Sequence, residues 1–245
     1  MKKILVLGGY SAISQAVLEL LAKEEVILYL VGRDIQKLEI VRDHLNSIGR
    51  SQVYIEAMDL NKIEEHRALL ERATKQMNGL DLLFVCYGVL PNQKNLEQEP
   101  EKALDNYFTN AFSTINFVSL VANYFESKGK GTIAVVTSVA GERGRKSNYF
   151  YGSAKSCVDT FLEGLRHRLF SKGIKVVTIK PGIVDTPMTA NLERKTLMAK
   201  PERVAQDIVK AFEGRKSVVY TPWIWRYIML IVKLLPGGIF YRTDF

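Results

Sequence analysis

The sequence predicts an α/β protein: a Rossmann-like, doubly wound parallel sheet of about seven strands, with helices on both faces in three α/β/α layers. Three observations lead there. Short runs rich in Val, Ile and Leu alternate with longer segments whose apolar residues recur every three to four positions. Several short runs, Ile4-Leu5-Val6-Leu7 among them, are apolar throughout, as strands covered on both faces are. The strand-then-helix unit recurs along almost the whole chain, and parallel strands joined this way need right-handed crossovers.

Taken in order, strands are expected over residues 3–7, 26–31, 52–57, 82–86, 132–137, 175–180 and 217–220, each bounded by Gly, Asp, Asn or charged residues. Helices are expected between them over 13–23, 35–48, 62–77, 96–125, 150–170 and 201–212, from their apolar spacing. No linker, repeat or low-complexity segment interrupts the pattern, so residues 1–245 read as one domain, with 222–245 an apolar and basic helical extension. Met1-Lys2-Lys3 before an apolar run resembles a leader, but the run stops at Gly8-Gly9 with no small-residue cleavage site, so a first strand is expected instead. The apolar run 223–235 contains Arg226 and Lys233 and is too short to cross about 30 Å of hydrocarbon.

Composition narrows the function classes. With 47% hydrophobic and 24% charged residues the chain is not disordered, and 17 Gly and 7 Pro exclude collagen-like or low-complexity sequence. Two cysteines, Cys86 and Cys157, cannot build a disulfide framework; they fit a reducing cytoplasm and read as packing residues. No His/Cys cluster has metal-ligand spacing, so no metal is expected, and His44, His66 and His167 on expected helices read as surface residues. The net charge of +8, from 34 Lys+Arg against 26 Asp+Glu, is spread along the chain. Without clustering among aromatics it argues against nucleic acid and leaves a phosphorylated ligand, an anionic membrane or plain solvated surface.

In such a sheet ligands bind beyond the carboxyl ends of the strands, here near residues 8, 32, 58, 87, 138 and 181. Gly8-Gly9-Tyr10-Ser11-Ala12-Ile13-Ser14 joins a strand to a helix, the geometry that presents backbone N–H groups to a pyrophosphate, although a tight βα turn uses the same residues. Gly32-Arg33 follows the second strand. Arg33 is either a bidentate partner for a ribose 2′-phosphate, which favours NADP(H) over NAD(H), or a solvated loop charge beside the competing carboxylate Asp34. Asp59-Leu60 follows the third strand, where Asp59 meets an adenine amino group or caps the next helix.

Tyr151 and Lys155 are four apart and share a helix face. A phenol ordinarily titrates near about 10, and a neighbouring ammonium is expected to lower that value and make Tyr151 a general acid/base. Ser138, at the end of the fifth strand, is placed to donate to a substrate carbonyl oxygen.

With these residues in view, the sequence resembles the short-chain dehydrogenase/reductase family from Lys3 to about Thr186. Gly8, Ser11 and Ile13 stand at its glycine-motif positions, with Ala12 between them and Ser14 replacing the last glycine. Asp59 matches its adenine-binding aspartate, Gly88 the glycine of its Asn-Asn-Ala-Gly motif (here Val85-Cys86-Tyr87-Gly88), and Asn110 its helix asparagine. Ser138, Tyr151 and Lys155 match the catalytic set, while Pro181-Gly182 and Thr186 match the nicotinamide-side motif. The resemblance implies hydride transfer between nicotinamide C4 and a carbonyl/alcohol carbon. Tyr151 would give the proton, Lys155 would hold the nicotinamide ribose, and Asn110 would position a relay water. It also implies a homodimer or homotetramer packed through residues 96–125 and 150–170, whose extra apolar residues include Phe161, Leu162, Leu165 and Leu169.

Gly8-Gly9-Tyr10-Ser11, residues 138–147 and residues 223–245 are similar to a narrower branch, the decaprenyl-phosphoryl-2-ketoribose reductases, which act on a 2-keto pentose carried through phosphate on a polyprenol. Two local features agree with a lipid-linked substrate. Arg143, Arg145 and Lys146 lie between Ser138 and Tyr151, near a phosphate or simply in a solvated loop. Arg226 and Lys233 share one face of a helix that leaves Trp223, Ile224, Met229, Leu230 and Leu234 for apolar contact. That helix would lie against the inner face of an anionic membrane or pack within the protein.

Overall fold

The computed structural model describes residues 1–190 and 197–243. Its frame is a seven-stranded parallel sheet: β1 Lys2–Leu7, β2 Val26–Gly32, β3 Gln52–Ala57, β4 Leu82–Val85, β5 Gly131–Val136, β6 Ile174–Pro181 and β7 Val218–Thr221, in the order β3-β2-β1-β4-β5-β6-β7. The uninterrupted apolar runs follow from burial on both faces. In β1, Leu5 and Leu7 enter one core with Val85, Phe117 and Leu162, while Ile4 and Val6 enter the opposite core with Leu28, Leu38 and Ile208. Each such side chain, fully buried, contributes roughly 1.5–3 kcal/mol.

One face carries α3 His66–Gln76, α6 Ser113–Lys128 and α7 Tyr149–Leu169; the other carries α1 Ala12–Leu21, α2 Ile35–Ile48 and α8 Pro201–Glu213. The direction of winding reverses between β1 and β4, and register completes the arrangement. Leu7 lies opposite both Val31 and Val85, so Gly8, Gly32 and Cys86 leave the sheet side by side at the switch point.

Residues 96–125 do not form the single expected helix. α4 Gln93–Gln98 ends where Glu99 leaves the helical region (φ −128°, ψ 69°) ahead of Pro100, since a following proline disfavours helical backbone. α5 Ala103–Tyr107 then runs into one π turn, Phe108–Phe112, before α6, and Asn110 sits inside that turn. π turns of this kind occur mostly at functional sites. Two further expectations are corrected. His66 is fully buried, its ring edge-on to Phe117 at 5.1 Å and bonded to Asn116 Oδ1 at 2.9 Å and the Leu60 carbonyl at 2.8 Å. It lies on the same stripe as the buried Leu69, Leu70 and Ala73. Cys157 is exposed and packs into neither core, because α7 turns it away from the sheet.

Beyond β7 the chain forms α9 Trp225–Leu234 and α10 Gly237–Phe240, which close a third, small core of Val139, Trp225, Met229, Val232 and Phe240. The expected apolar set on α9 is thereby divided. Met229 points inward, whereas Trp223, Ile224, Leu230 and Leu234 are exposed. Among the described residues no helix is long and apolar enough to cross a membrane.

Candidate active site

The turn after β1 is built on Gly8, whose φ of +89° is open to glycine and costly for other residues. The Val31 carbonyl accepts from both Gly8 N (2.9 Å) and Gly9 N (3.0 Å), pinning the turn to β2. Ser11 caps α1 by accepting from Ser14 N at 3.2 Å, and its hydroxyl donates to Cys86 Sγ at 3.3 Å. Ser14 is buried and turns its own hydroxyl toward the same thiol. The two departures from the family pattern, Ser14 and Cys86, therefore meet each other. Burial pushes the Cys86 thiol up, so it acts as a packing group there.

The end of β3 is tied to α6 through one carbonyl. Leu60 O accepts from His66 Nε2 and from Ser113 Oγ, and Ser113 in turn bonds the Tyr87 hydroxyl at 2.6 Å. This chain braces the end of β4 through Tyr87, which stands at the alanine of the Asn-Asn-Ala-Gly pattern. Asp59 accepts from Asn61 N at 3.1 Å and is not the cap of α3, which begins seven residues later. Asp34 is occupied as the cap of α2, accepting from Lys37 N at 3.1 Å with Lys37 Nζ at 3.5 Å, and these contacts hold its carboxyl below the usual range. Arg33 is exposed and, among the described residues, has no ion-pair partner.

Asn110 spends its amide on the backbone after β4. Its Nδ2 donates to Val89 O (2.8 Å) and Asn106 Oδ1 (2.7 Å), and its Oδ1 accepts from Val89 N (3.1 Å). A Cβ at Gly88 would stand 2.5 Å from that Oδ1 and 3.2 Å from Lys155 Nζ, so a glycine there is what lets both groups approach the strand end.

Ser138 opens a 3₁₀ turn after β5, and its Oγ accepts from Ala140 N at 3.1 Å, leaving its proton to donate. The Ser138 side chain beside the Tyr151 phenol favours the phenolate, yet burial outweighs that influence and pushes Tyr151 up to about 12. Burial also pushes Lys155, one turn along α7, down to about 8, with its Nζ 5.6 Å from the Tyr151 ring centroid. The expected lowering of the tyrosine by the lysine is thus reversed: dehydration of the phenolate dominates in this cleft.

Two adjoining cavities of about 140 and 510 Å³ run along the carboxyl edge and share Ser11, Cys86 and Gly88. Gly8, Arg33, Asp59 and Leu60 line the smaller. Ala12, Ile13, Ser138, Tyr151, Lys155, Pro181, Gly182 and Thr186 line the larger. The sequence-predicted positions thus form one continuous trough, with Asn110 behind Gly88. A trough that joins a capped glycine turn, a cation beyond β2 and a phenol beyond β5 fits an extended dinucleotide with its reactive end at Tyr151.

A model of the short chain dehydrogenase family matches residues 2–197. The chain belongs to this family. It is 28% identical to an uncharacterized oxidoreductase of Mycobacterium tuberculosis, covering 98% of this chain and 96% of that protein. An uncharacterized oxidoreductase of Streptomyces coelicolor is 30% identical, with 98% and 95% covered. Among solved structures, a short chain dehydrogenase from Burkholderia cenocepacia in complex with NADP superposes with a TM-score of 0.81 at 21% identity, covering 98% of this chain and 97% of the other. A short-chain dehydrogenase/reductase from Mycobacterium ulcerans gives 0.82 at 19% identity, with 99% and 98% covered. Fold and enzyme class agree with the sequence expectation: this is a nicotinamide-dependent short-chain oxidoreductase.

Sequence reasoning missed several wall residues. Tyr10 packs its ring over Gly32, and Met188 and Trp225 line the larger cavity. Trp225 was legible in principle, since it stands four before Met229 and seven before Val232 on one helical stripe. Arg143 is corrected: its guanidinium donates to the carbonyls of Val232 and Leu235 and stacks 3.9 Å from the Phe240 ring centroid, so it clamps the C-terminal helices. Arg145 does line the larger cavity, bonding Val139 O at 3.3 Å. Lys233, expected to be a surface cation, pairs with Glu142 at 2.9 Å.

Proposed function

We propose that the protein reduces a ketone or aldehyde, with NADP(H) preferred over NAD(H). The observation that carries this reading is the protonated Tyr151 phenol, beside Ser138 and one turn from Lys155, on the wall of a largely apolar cavity. Bound NADPH would supply hydride from nicotinamide C4. Ser138 donates to the carbonyl oxygen and orients it. As the carbon accepts hydride, Tyr151 gives its proton to that oxygen, so that C=O, hydride and proton become CH–OH. Lys155 stabilises the phenolate left behind and lies toward the nicotinamide ribose. Asn110 is a positioning residue: it fixes Gly88-Val89, along which the cofactor would lie, and through that segment the expected relay water. Gly8, Ser11, Ala12 and Ile13 cradle the pyrophosphate, Asp59 and Leu60 the adenine, and Pro181, Gly182 and Thr186 the nicotinamide.

Arg33 is assigned to the 2′-phosphate, because Asp34 is turned into α2 and offers a ribose no free carboxylate. The finer substrate reading is a 2-keto sugar linked to polyprenyl phosphate; the alternative is an unrelated small carbonyl compound. Ile183, Met188 and Trp225 beside Arg145 on the cavity wall support a substrate that is both apolar and anionic. Self-association through α7 is also proposed: a groove of about 1070 Å³ along its outer face holds Tyr107, Ser153, Cys157 and Phe161 and none of the catalytic side chains.

The test is NADPH oxidation against keto sugars with and without a polyprenyl phosphate. Tyr151→Phe is expected to lower turnover by a hundredfold or more, about the worth of a general acid, while NADPH binding is kept. Retained turnover would refute the assignment. Arg33→Ala is expected to weaken NADPH binding by about tenfold to a hundredfold with NADH unchanged, the worth of one charge-assisted contact; equal affinity in both proteins would remove the 2′-phosphate role.

A further inference from the structure

α9 is apolar on two opposite sides, and the fold uses only one. At about 100° per residue, Trp225, Met229 and Val232 cluster on the inner side, where they are buried, and Tyr227, Leu230, Ile231 and Leu234 cluster on the outer side. The outer side is open to solvent. Leu234 is 74% exposed, Ile231 62% and Trp223 63%, and Ile239 and Tyr241 of the following turn extend the same surface, Tyr241 at 81%. A helix that is apolar almost all round belongs in a core or at a lipid boundary, and the core claims half of this one.

The charge around the patch says what covers the other half. From Gly214 to Thr243 the sequence contains no Asp or Glu, but it carries Arg215, Lys216, Arg226, Lys233 and Arg242. Arg226 and Lys233 fall on the same flank of α9, between the buried and the exposed sides. The carboxylate that pairs with this helix, Glu142, is inside the protein, shared between Lys233 at 2.9 Å and Lys180 at 2.8 Å. Exposed Trp223 and Tyr227 stack edge to face at 5.8 Å, amphipathic rings of the type that settle among lipid headgroups. Apolar side chains facing outward, aromatics among them and cations at the border are what an in-plane interfacial helix presents.

We propose that the outer side of α9 with α10 docks on an anionic lipid surface, with Leu230, Ile231 and Leu234 at acyl depth and Trp223, Tyr227, Arg226 and Arg242 among the headgroups. The protein is held peripherally; α9 lies in the plane. The inner side of the same helix supplies Trp225 to the catalytic cavity, so docking sets the wall of that cavity one helix diameter from the lipid. The proposal stands on this surface and not on the identity of the substrate.

The test is co-sedimentation of the full chain with vesicles of phosphatidylcholine containing about one-third phosphatidylglycerol, beside vesicles of phosphatidylcholine alone. Binding to the anionic vesicles that weakens with salt is expected. Leu230→Glu with Leu234→Glu should lower the partition coefficient by roughly tenfold or more, since each exposed leucine buried in lipid is worth about that factor. The melting temperature and solution mass should be unchanged, because both side chains point outward. A second variant, Arg226→Glu with Arg242→Glu, leaves the apolar surface intact and should abolish the preference for anionic vesicles. Absence of wild-type binding, or equal binding by the leucine variant, overturns the proposal. So does a leucine variant whose mass falls, because the surface would then be covered by a second copy of the chain.

Discussion

Tyr151 holds its proton through the neutral range because burial disfavours the phenolate more than Ser138 stabilises it. Lys155 is poised differently: burial, opposed by Cys86 and Asp159, brings it to about 8, close to working pH. Carbonyl reduction by this pair needs the phenol protonated and the ammonium charged, and both conditions hold below about 8. Raising the pH through that value strips Lys155 first. The kcat/KM for reduction should therefore be flat at neutral pH and fall about tenfold per unit above about 8, as loss of one proton dictates. A profile that instead climbs through neutrality would show that the donor is not this phenol. At this scale the placement of the motif residues was legible, since Gly8 and Ser138 lie just beyond strand ends and Tyr151 and Lys155 share a face of α7 by their spacing. Arg143 was not. Its partners Val232 and Leu235 lie 89 and 92 positions away, a separation no local pattern encodes. His66 was misread for a subtler reason: its polarity concealed that it continues the buried stripe of Leu69, Leu70 and Ala73.

Elements were read well where periodicity is local. α2 and β3 have the expected ends, and the other strands differ by only one residue at either end. The break before Pro100 was signalled by the proline itself, whereas the π turn at Asn110 has no mark in composition. What ties the elements together was invisible, because it is a charge cluster assembled from five of them. Glu142, in the turn after β5, meets Lys180 of β6, the Tyr220 hydroxyl of β7 and Lys233 of α9, while Lys180 also reaches Asp159 of α7 at 2.9 Å. These partners hold the Glu142 carboxyl below its usual range despite burial, and Asp159 goes the other way, raised chiefly by burial. A depressed carboxyl contributes stability at neutral pH that is lost as pH falls through its folded pKa. Glu142→Gln should thus cost about 2 kcal/mol at neutral pH, less than the full penalty for orphaning a buried charge because Lys180 keeps Asp159. Thermal melting should show the gap closing as acidification passes through the lowered folded value, where wild-type Glu142 is itself protonated. A gap that persists in acid would mean that packing, not charge, holds this junction.

At the scale of the whole molecule the question is whether residues 223–245 are an appendage or part of the enzyme. The family match ends at residue 197, and an apolar, basic tail beyond it reads naturally as something added to a finished domain. The packing argues otherwise. Trp225 lies against Gly182 so closely that a Cβ there would fall 1.8 Å from its indole nitrogen, and Gly182 borders the reactive end of the trough. Val139, the residue after Ser138, belongs to the small core that α9 and α10 complete. Arg143 and Glu142, on the same turn, lose their C-terminal partners if the tail is removed. The smaller cavity, lined by Arg33, Asp59 and Leu60 and proposed for the adenine end, is not lined by α9 or α10. Deleting 223–245 should therefore divide the two halves of the site. Circular dichroism should report an intact sheet, and NADPH should bind within about tenfold of the full chain, since the proposed phosphate contacts come from the ends of β1 and β2 and from α1. Turnover of any carbonyl that the full chain reduces should fall by a hundredfold or more, because the turn that aims Ser138 at Tyr151 loses its floor. A truncated protein with undiminished kcat would make the tail a detachable appendage, with a role confined to its outer face.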